Sequence, residues 1–179
     1  MHFLLHAFPP PDGAASVTAR ALVIGIGNQD RGDDAVGLLV ARRLAACLCP
    51  GVAVIESDGD ALALLDRWRG ADSVVLVDAA APVSTPGTVH CLDPRAGPLP
   101  REVSLGSTHA FGVAEAVELA RALGRLPARM TIYAIEGACF ATGTPLTPPV
   151  AAAAGAVAAR IAADLGLRGT VAAAGAGGG

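Results

Sequence analysis

The chain has 179 residues, the length of one domain, and its composition is 53% hydrophobic but only 3% aromatic. Its core must therefore be built from Ala, Val, Leu and Ile. The formal net charge of -3, with 16% charged residues, offers no basic surface to nucleic acid or to an anionic membrane, so we predict a folded globular domain that binds neither.

The cysteines and the first residues of the chain indicate a cytoplasmic protein. Cys47, Cys49, Cys91 and Cys139 form no Cys-x-x-Cys pair, and their apolar neighbours suit free thiols in a reducing compartment. The apolar start lacks a positively charged segment and is followed by the run Pro9–Pro11, which does not favour a signal peptide. No apolar run approaches the roughly 20 residues of a membrane span, so we expect no membrane segment.

Short apolar runs alternate with helical patterns along most of the chain. The runs predicted to be strands are Ala21–Gly27, Val52–Ile55, Ser73–Val77, Gly87–Leu92 and Met130–Ile135. Helices are predicted after Asp34, over Ala61–Trp68, after His109 and from Thr147 to about Leu165. Residues 20–168 are therefore predicted to form one α/β domain, with a mostly parallel sheet of about five strands and helices on both faces.

The two ends of the chain have no periodic apolar pattern. Residues 1–19 are predicted to be a flexible extension, and the Ala/Gly-rich residues 169–179 a disordered tail.

Acidic residues and one histidine follow the predicted strands, at the edge where α/β sheets bind their ligands. The first strand leads to Asp33 and Asp34, the second to Asp58 and the third to Asp78, while His109 precedes the third long helix. Structural roles stay open at this point. Carboxylates at a helix start can stabilise the helix dipole alone, an aspartate after a strand can form a turn, and one histidine can be merely exposed.

Gly25 and Gly27 after the first strand also permit a dinucleotide-binding interpretation. The third position of that fingerprint is Asp30 instead of glycine, and Asp33 and Asp34 follow where a pyrophosphate requires positive potential. Three carboxylates repel phosphate and attract a cation, so the pattern favours a metal over a nucleotide.

Two common hydrolase motifs, Gly-x-Ser-x-Gly and His-Glu-x-x-His, do not occur in the sequence. A nucleophilic pair of Cys139 and His109 stays open, although no spacing in the sequence favours it.

The segment Ile24–Gly37, IGIGNQDRGDDAVG, resembles the opening motif of the hydrogenase maturation proteases, which is Gly-x-Gly-Asn, a variable stretch and an acidic pair leading into Gly. Val77–Ala79, Thr108–His109 and Leu146–Pro148 are similar to later motifs of that family and occur in the same order. The resemblance covers about Ala21 to Leu165.

This resemblance implies a metal site made of Asp34, Asp78 and His109. Whether the metal takes part in catalysis or serves mainly as a docking point stays open; in the second case the base lies elsewhere, and Asp58 is the candidate. Two carboxylates and one imidazole suit nickel, which the substrate could supply, or another divalent metal such as zinc. The implied enzyme is a monomeric, metal-dependent endopeptidase that removes the C-terminal extension of a nickel-iron hydrogenase large-subunit precursor. Two alternatives stay open: a non-enzymatic nickel-binding scaffold with the same ligands, and a nucleotide-binding α/β protein.

Overall fold

A computed structural model of the chain describes residues 21–47, 51–100 and 112–167. The predicted extension 1–19, the predicted tail 169–179 and His109 lie outside the described residues. What the sequence indicates about them stays a prediction.

The described residues form one five-stranded sheet. Its strands are β1 (Ala21–Ile26), β2 (Val52–Ser57), β3 (Ser73–Ala80), β4 (Val89–Leu92) and β5 (Arg129–Glu136). Their spatial order is β2-β1-β3-β5-β4, in which every neighbouring pair is parallel except the antiparallel pair of β4 and β5 at one edge. The mostly parallel α/β sheet that the sequence predicts is thereby confirmed.

Helices cover both faces of this sheet. After a 3-10 turn (Gly32–Ala35), they are α1 (Val36–Ala45), α2 (Ala61–Arg67), α3 (Val113–Ala122) and α4 (Pro148–Asp164). Alternate side chains of each strand point to opposite faces, so Val75 and Val77 pack with α1 and α4, whereas Val74 and Leu76 pack with α2 and α3. In the described ranges, no helix has the length and apolarity needed to cross a membrane.

Strand β3 is longer than the sequence indicates. The prediction ends it at Val77, but it continues through Asp78 to Ala80 and pairs with β5 as far as Glu136. Ala79 and Ala80 are buried, so these small apolar residues extend the strand where a turn was an open alternative. Asp78 is therefore a strand residue with a buried side chain, and the turn interpretation is wrong.

The order of the strands places a topological switch point at the carboxyl ends of β1 and β3. From β1 the chain passes through α1 to β2, on one side of β1, and then through α2 to β3, on its other side. Helices α1 and α2 lie on opposite faces of the sheet. Such a switch point is where open α/β sheets bind ligands.

Candidate functional site

Asp34 lies in the 3-10 turn that follows β1 at this switch point. Gly27 has a φ of +148°, and a Cβ at that position would collide with the carbonyl oxygen of Asp34. Only glycine therefore lets the chain turn back so closely. Asp34 is 3% exposed, and its Oδ2 lies 3.6 Å from Nη1 of Arg31. The turn thus holds a buried carboxylate directly beside the end of β1.

Two facing glycines bring the start of α1 onto the sheet. A Cβ on Gly37 would collide with the carbonyl oxygens of Ile26 and Val77, and a Cβ on Gly25 would collide with the carbonyl oxygen of Gly37. The helix consequently packs directly on the ends of β1 and β3. Because the Asp34 turn immediately precedes this helix, the same packing brings Asp34 towards β3.

Asp78 supplies a second buried carboxylate, one residue beyond the Gly25–Val77 pair of β1 and β3, and is 1% exposed. Its Oδ1 accepts a hydrogen bond of 2.8 Å from the backbone N–H of Ala79. Its Oδ2 is buried and has no hydrogen-bond partner among the described residues.

The electrostatics of Asp78 follow from these surroundings. Burial, opposed by the hydrogen bond from the Ala79 N–H and assisted by the negative charge of Asp34, raises the pKa of Asp78 to about 7. Two buried carboxylates therefore repel each other at the switch point. A proton or a metal cation bound between them would relieve this repulsion.

The other predicted site residues are described only in part. Asp58 is exposed directly after β2, and its Oδ1 accepts a 3.3 Å hydrogen bond from the N–H of Asp60. Because β2 pairs in parallel with β1, Asp58 lies at the same edge of the sheet as Asp34. His109 lies outside the described ranges, and within them no three His, Cys, Asp or Glu side chains are grouped to hold a metal.

Asp33 has a role that the sequence does not predict. It is fully buried, and its carboxylate accepts hydrogen bonds from the N–H groups of Ala138 at 2.7 Å, Cys139 at 3.0 Å and Thr147 at 2.7 Å. The hydroxyl of Thr147 also donates to both carboxylate oxygens, at 2.9 and 3.0 Å. No side-chain hydrogen bond caps the 3-10 turn or α1, so Asp33 binds the loop before α4 instead of capping its own helix.

Glu136 is a second buried carboxylate with many donors, at the end of β5. It accepts hydrogen bonds from the N–H groups of Val83 and Ser84 at 3.0 and 2.6 Å, and its Oε1 lies 2.7 Å from Nε2 of His90. The Ser84 N–H and His90 lower the pKa of Glu136 to about 2. The cluster binds the loop after β3 and strand β4 to β5, whereas the sequence suggests no role for His90.

No sequence signal points to either cluster. The donors of Asp33 lie 105 to 114 residues further along the chain, and His90 lies 46 residues from Glu136. Local motifs and periodicity do not report contacts over such separations.

A family model described as hydrogenase maturation protease matches residues 39–164, which is most of the chain. The match includes Asp78 and His109 and begins five residues after Asp34. No curated protein sequence matches the chain.

Solved structures with a similar fold include three hydrogenase maturation enzymes. The [NiFe] hydrogenase maturation protease HycI from Thermococcus kodakarensis KOD1 is 25% identical with a TM-score of 0.65, covering 84% of this chain and 95% of that one. The hydrogenase maturating endopeptidase HybD from E. coli is 25% identical with a TM-score of 0.66, covering 82% and 91%. The [NiFe] hydrogenase maturation protease HybD from Thermococcus kodakarensis is 27% identical with a TM-score of 0.62, covering 82% and 98%.

Proposed function

The chain belongs to the hydrogenase maturation protease family, and from this premise we propose that it hydrolyses one peptide bond near the C-terminus of a nickel-iron hydrogenase large-subunit precursor. Family membership makes it an endopeptidase of hydrogenase maturation. Removal of a C-terminal extension, the precursor as partner, and action as a monomer in the cytoplasm are our proposals for this chain.

The observation that carries the proposed site is the buried Oδ2 of Asp78, which has no hydrogen-bond partner among the described residues and lies in the field of Asp34. A divalent cation would provide that oxygen with a ligand bond and neutralise both carboxylates. We propose that Asp34, Asp78 and His109 bind this cation. Oxygen and imidazole ligands suit nickel, and zinc is the alternative metal.

Hydrolysis forms a bond from a water oxygen to the scissile carbonyl carbon and breaks the C–N bond. The released proton passes through a base to the leaving amine. A metal bound at this site can polarise the carbonyl or activate the water. If nickel in the precursor serves only as a docking point for Asp34, Asp78 and His109, the base has to be another group. We propose Asp58 for that role, because its exposed carboxylate lies at the same edge of the sheet and is accessible to water.

Processing of a purified large-subunit precursor, prepared with and without nickel, tests this function. We expect the wild-type chain to shorten the nickel-loaded precursor and to leave the nickel-free precursor intact. Asp34→Asn and Asp78→Asn should each lower the rate by about 100-fold or more, because an amide retains the shape but lacks the negative charge that attracts the cation. The size shift of the precursor and the thermal melting of each variant are the measurements.

Asp60→Asn is the matched control. Asp60 lies at the same edge of the sheet and caps α2 by accepting a 2.8 Å hydrogen bond from the N–H of Ala63. Asparagine caps helices as well as aspartate does, so this variant should process the precursor at the wild-type rate. Wild-type rates for Asp34→Asn and Asp78→Asn would contradict the proposed site. An intact nickel-loaded precursor after incubation with the wild-type chain would contradict the proposed reaction.

A further inference from the structure

We propose that Asp33 is a positioning residue for the reaction, because it fastens the loop between β5 and α4 to the turn that carries Asp34. In this role Asp33 keeps the carboxylate of Asp34 beside Asp78. The inference rests on the function proposed above, and it assigns a role to a residue that neither binds the cation nor contacts the substrate.

The turn and the loop each donate hydrogen bonds to the other. The N–H of Asp33 donates to the carbonyl oxygen of Cys139 at 2.8 Å, and the N–H of Cys139 donates to Oδ2 of Asp33 at 3.0 Å. Within the same loop, the N–H of Ala138 and, eight residues after Cys139, the N–H and hydroxyl of Thr147 complete the set of donors. A further hydrogen bond of 2.7 Å runs from the N–H of Gly143 to the carbonyl oxygen of Asp30.

The turn and the loop are in close contact at Gly32. A Cβ on Gly32 would lie 2.5 Å from the carbonyl oxygen of Cys139 and 2.6 Å from Oγ1 of Thr144. Gly32 also has a φ of +55°, which disfavours other residues. On its other side, the turn rests on Gly27 beneath the carbonyl group of Asp34. The Asp34 turn is therefore held between β1 and the loop.

This arrangement requires two acceptor oxygens at position 33. Oδ2 of Asp33 accepts from the N–H groups of Ala138 and Cys139, while Oδ1 accepts from the N–H and hydroxyl of Thr147. An asparagine has one acceptor oxygen. It cannot accept all the hydrogen bonds that Oδ1 and Oδ2 of Asp33 accept separately. Its NH2 group would face at least one buried N–H and leave that donor unsatisfied.

Because Asp34 is the next residue in the chain, movement of the turn displaces its carboxylate. A displacement of about 1 Å in a catalytic group can lower a rate by about 100-fold. If Asp33 had a purely structural role, its loss would lower the melting temperature, while each folded molecule would retain its activity.

Three variants of the full chain distinguish these roles. We expect Asp33→Asn to lower kcat/KM for the nickel-loaded precursor by about 100-fold per folded molecule, and to accelerate hydrogen exchange at the backbone N–H of Asp34. Thr147→Val removes only one hydroxyl donor and should lower kcat/KM by about 10-fold, at the lower end of effects reported for groups that orient ligands. Ile161→Ala, a buried truncation 14 residues further along α4, is the control.

The control should lower the melting temperature and leave both kcat/KM and the exchange of the Asp34 amide near their wild-type values. The positioning role is contradicted if the folded Asp33→Asn variant cleaves within threefold of wild type, or if its faster exchange is confined to residues 138–147. If Asp33→Asn does not fold, kcat/KM and the exchange of the Asp34 amide in Thr147→Val test the positioning role instead. Failure of the wild-type chain to cleave would instead contradict the proposed function, while the exchange measurement would still test whether Asp33 holds the turn.

Discussion

At the scale of single residues, the surroundings of a carboxylate decide what it does. Asp33 is surrounded by N–H and O–H donors that stabilise its negative charge, and its pKa is lowered. Asp78 is equally buried but has one hydrogen bond from Ala79, one oxygen without a partner among the described residues, and a pKa raised to about 7. The first carboxylate therefore stabilises the local structure, whereas the second costs stability until a cation or a proton binds it.

This contrast predicts that Asp78→Asn makes the metal-free protein more stable. In the folded state the pKa of Asp78 is raised from 3.8 to about 7, so its ionisation opposes folding by up to about 4 kcal/mol at a pH above 7. As the pH falls from 7 towards 3.8 this cost disappears, because the native carboxyl group becomes protonated. Thermal and urea unfolding of both proteins between pH 4 and pH 9 measure the difference.

The gain in stability from Asp78→Asn should be largest above pH 7 and small near pH 4. A variant that is less stable than wild type at pH 8, or whose gain does not depend on pH, would show that the Asp78 carboxylate is well solvated in the folded chain. Asp60→Asn, which replaces an exposed helix cap with another good cap, is the control and should leave the free energy of unfolding close to that of wild type.

At the scale of elements, the close approach of α1 to the sheet determines where the Asp34 turn lies. Gly37 contacts the backbone of both β1 and β3, and Gly25 provides the space beneath it. Glycine is unfavourable inside a helix by about 1 kcal/mol relative to alanine. Here its lack of a side chain permits the close contact of α1 with β1 and β3 at the switch point, so the geometry of the site depends on a residue that weakens the helix.

We therefore expect Gly37→Ala to destabilise the protein by about 1–3 kcal/mol, although alanine is the better helix former. Its Cβ would collide with the carbonyl oxygens of Ile26 and Val77, which are rigid backbone groups. The variant should also process precursor more slowly, because α1 and the preceding turn must move away from β3. Denaturant unfolding and the processing assay measure the two effects.

Gly155→Ala in the middle of α4 is the matched control. A Cβ there would lie 3.0 Å from Nη1 of Arg43, the far end of a flexible side chain. This variant should be neutral or stabilised by up to about 1 kcal/mol, with normal processing. Equal effects of the two substitutions would show that the helix approaches the sheet less closely than the structure indicates.

At the scale of the whole molecule, the sequence predicts the sheet well because buried parallel strands are local, continuous apolar runs. Each of the five predicted runs is a strand, and the switch from strand to helix at Asp33–Asp34 lies where the pattern places it. The sequence does not predict the end of β3, because Ala79 and Ala80 are small residues that suit a strand, a helix or a loop. The long-range pairing of strands, including the antiparallel edge strand β4, is also not contained in any local pattern.

The sequence predicts which residues belong to the candidate site, but it does not predict the contacts that determine their roles. Position after a strand identifies Asp34 and Asp78, and the structure brings both to the switch point with electrostatic coupling between them. The roles of Asp33 and Glu136 depend on donors that are distant in the chain. The family match over residues 39–164 supports the protease interpretation over the nucleotide-binding alternative, while the identity of the metal ligands stays a prediction.

His109→Ala tests the three-ligand site most directly, because His109 is its only nitrogen ligand and lies outside the described residues. The measurement is the rate at which the variant shortens a nickel-loaded large-subunit precursor, with its thermal melting recorded in parallel. We predict a melting temperature close to that of wild type and no detectable processing, since two carboxylates alone do not hold a divalent transition ion in a defined geometry. Processing at a rate close to that of wild type would contradict the site of Asp34, Asp78 and His109.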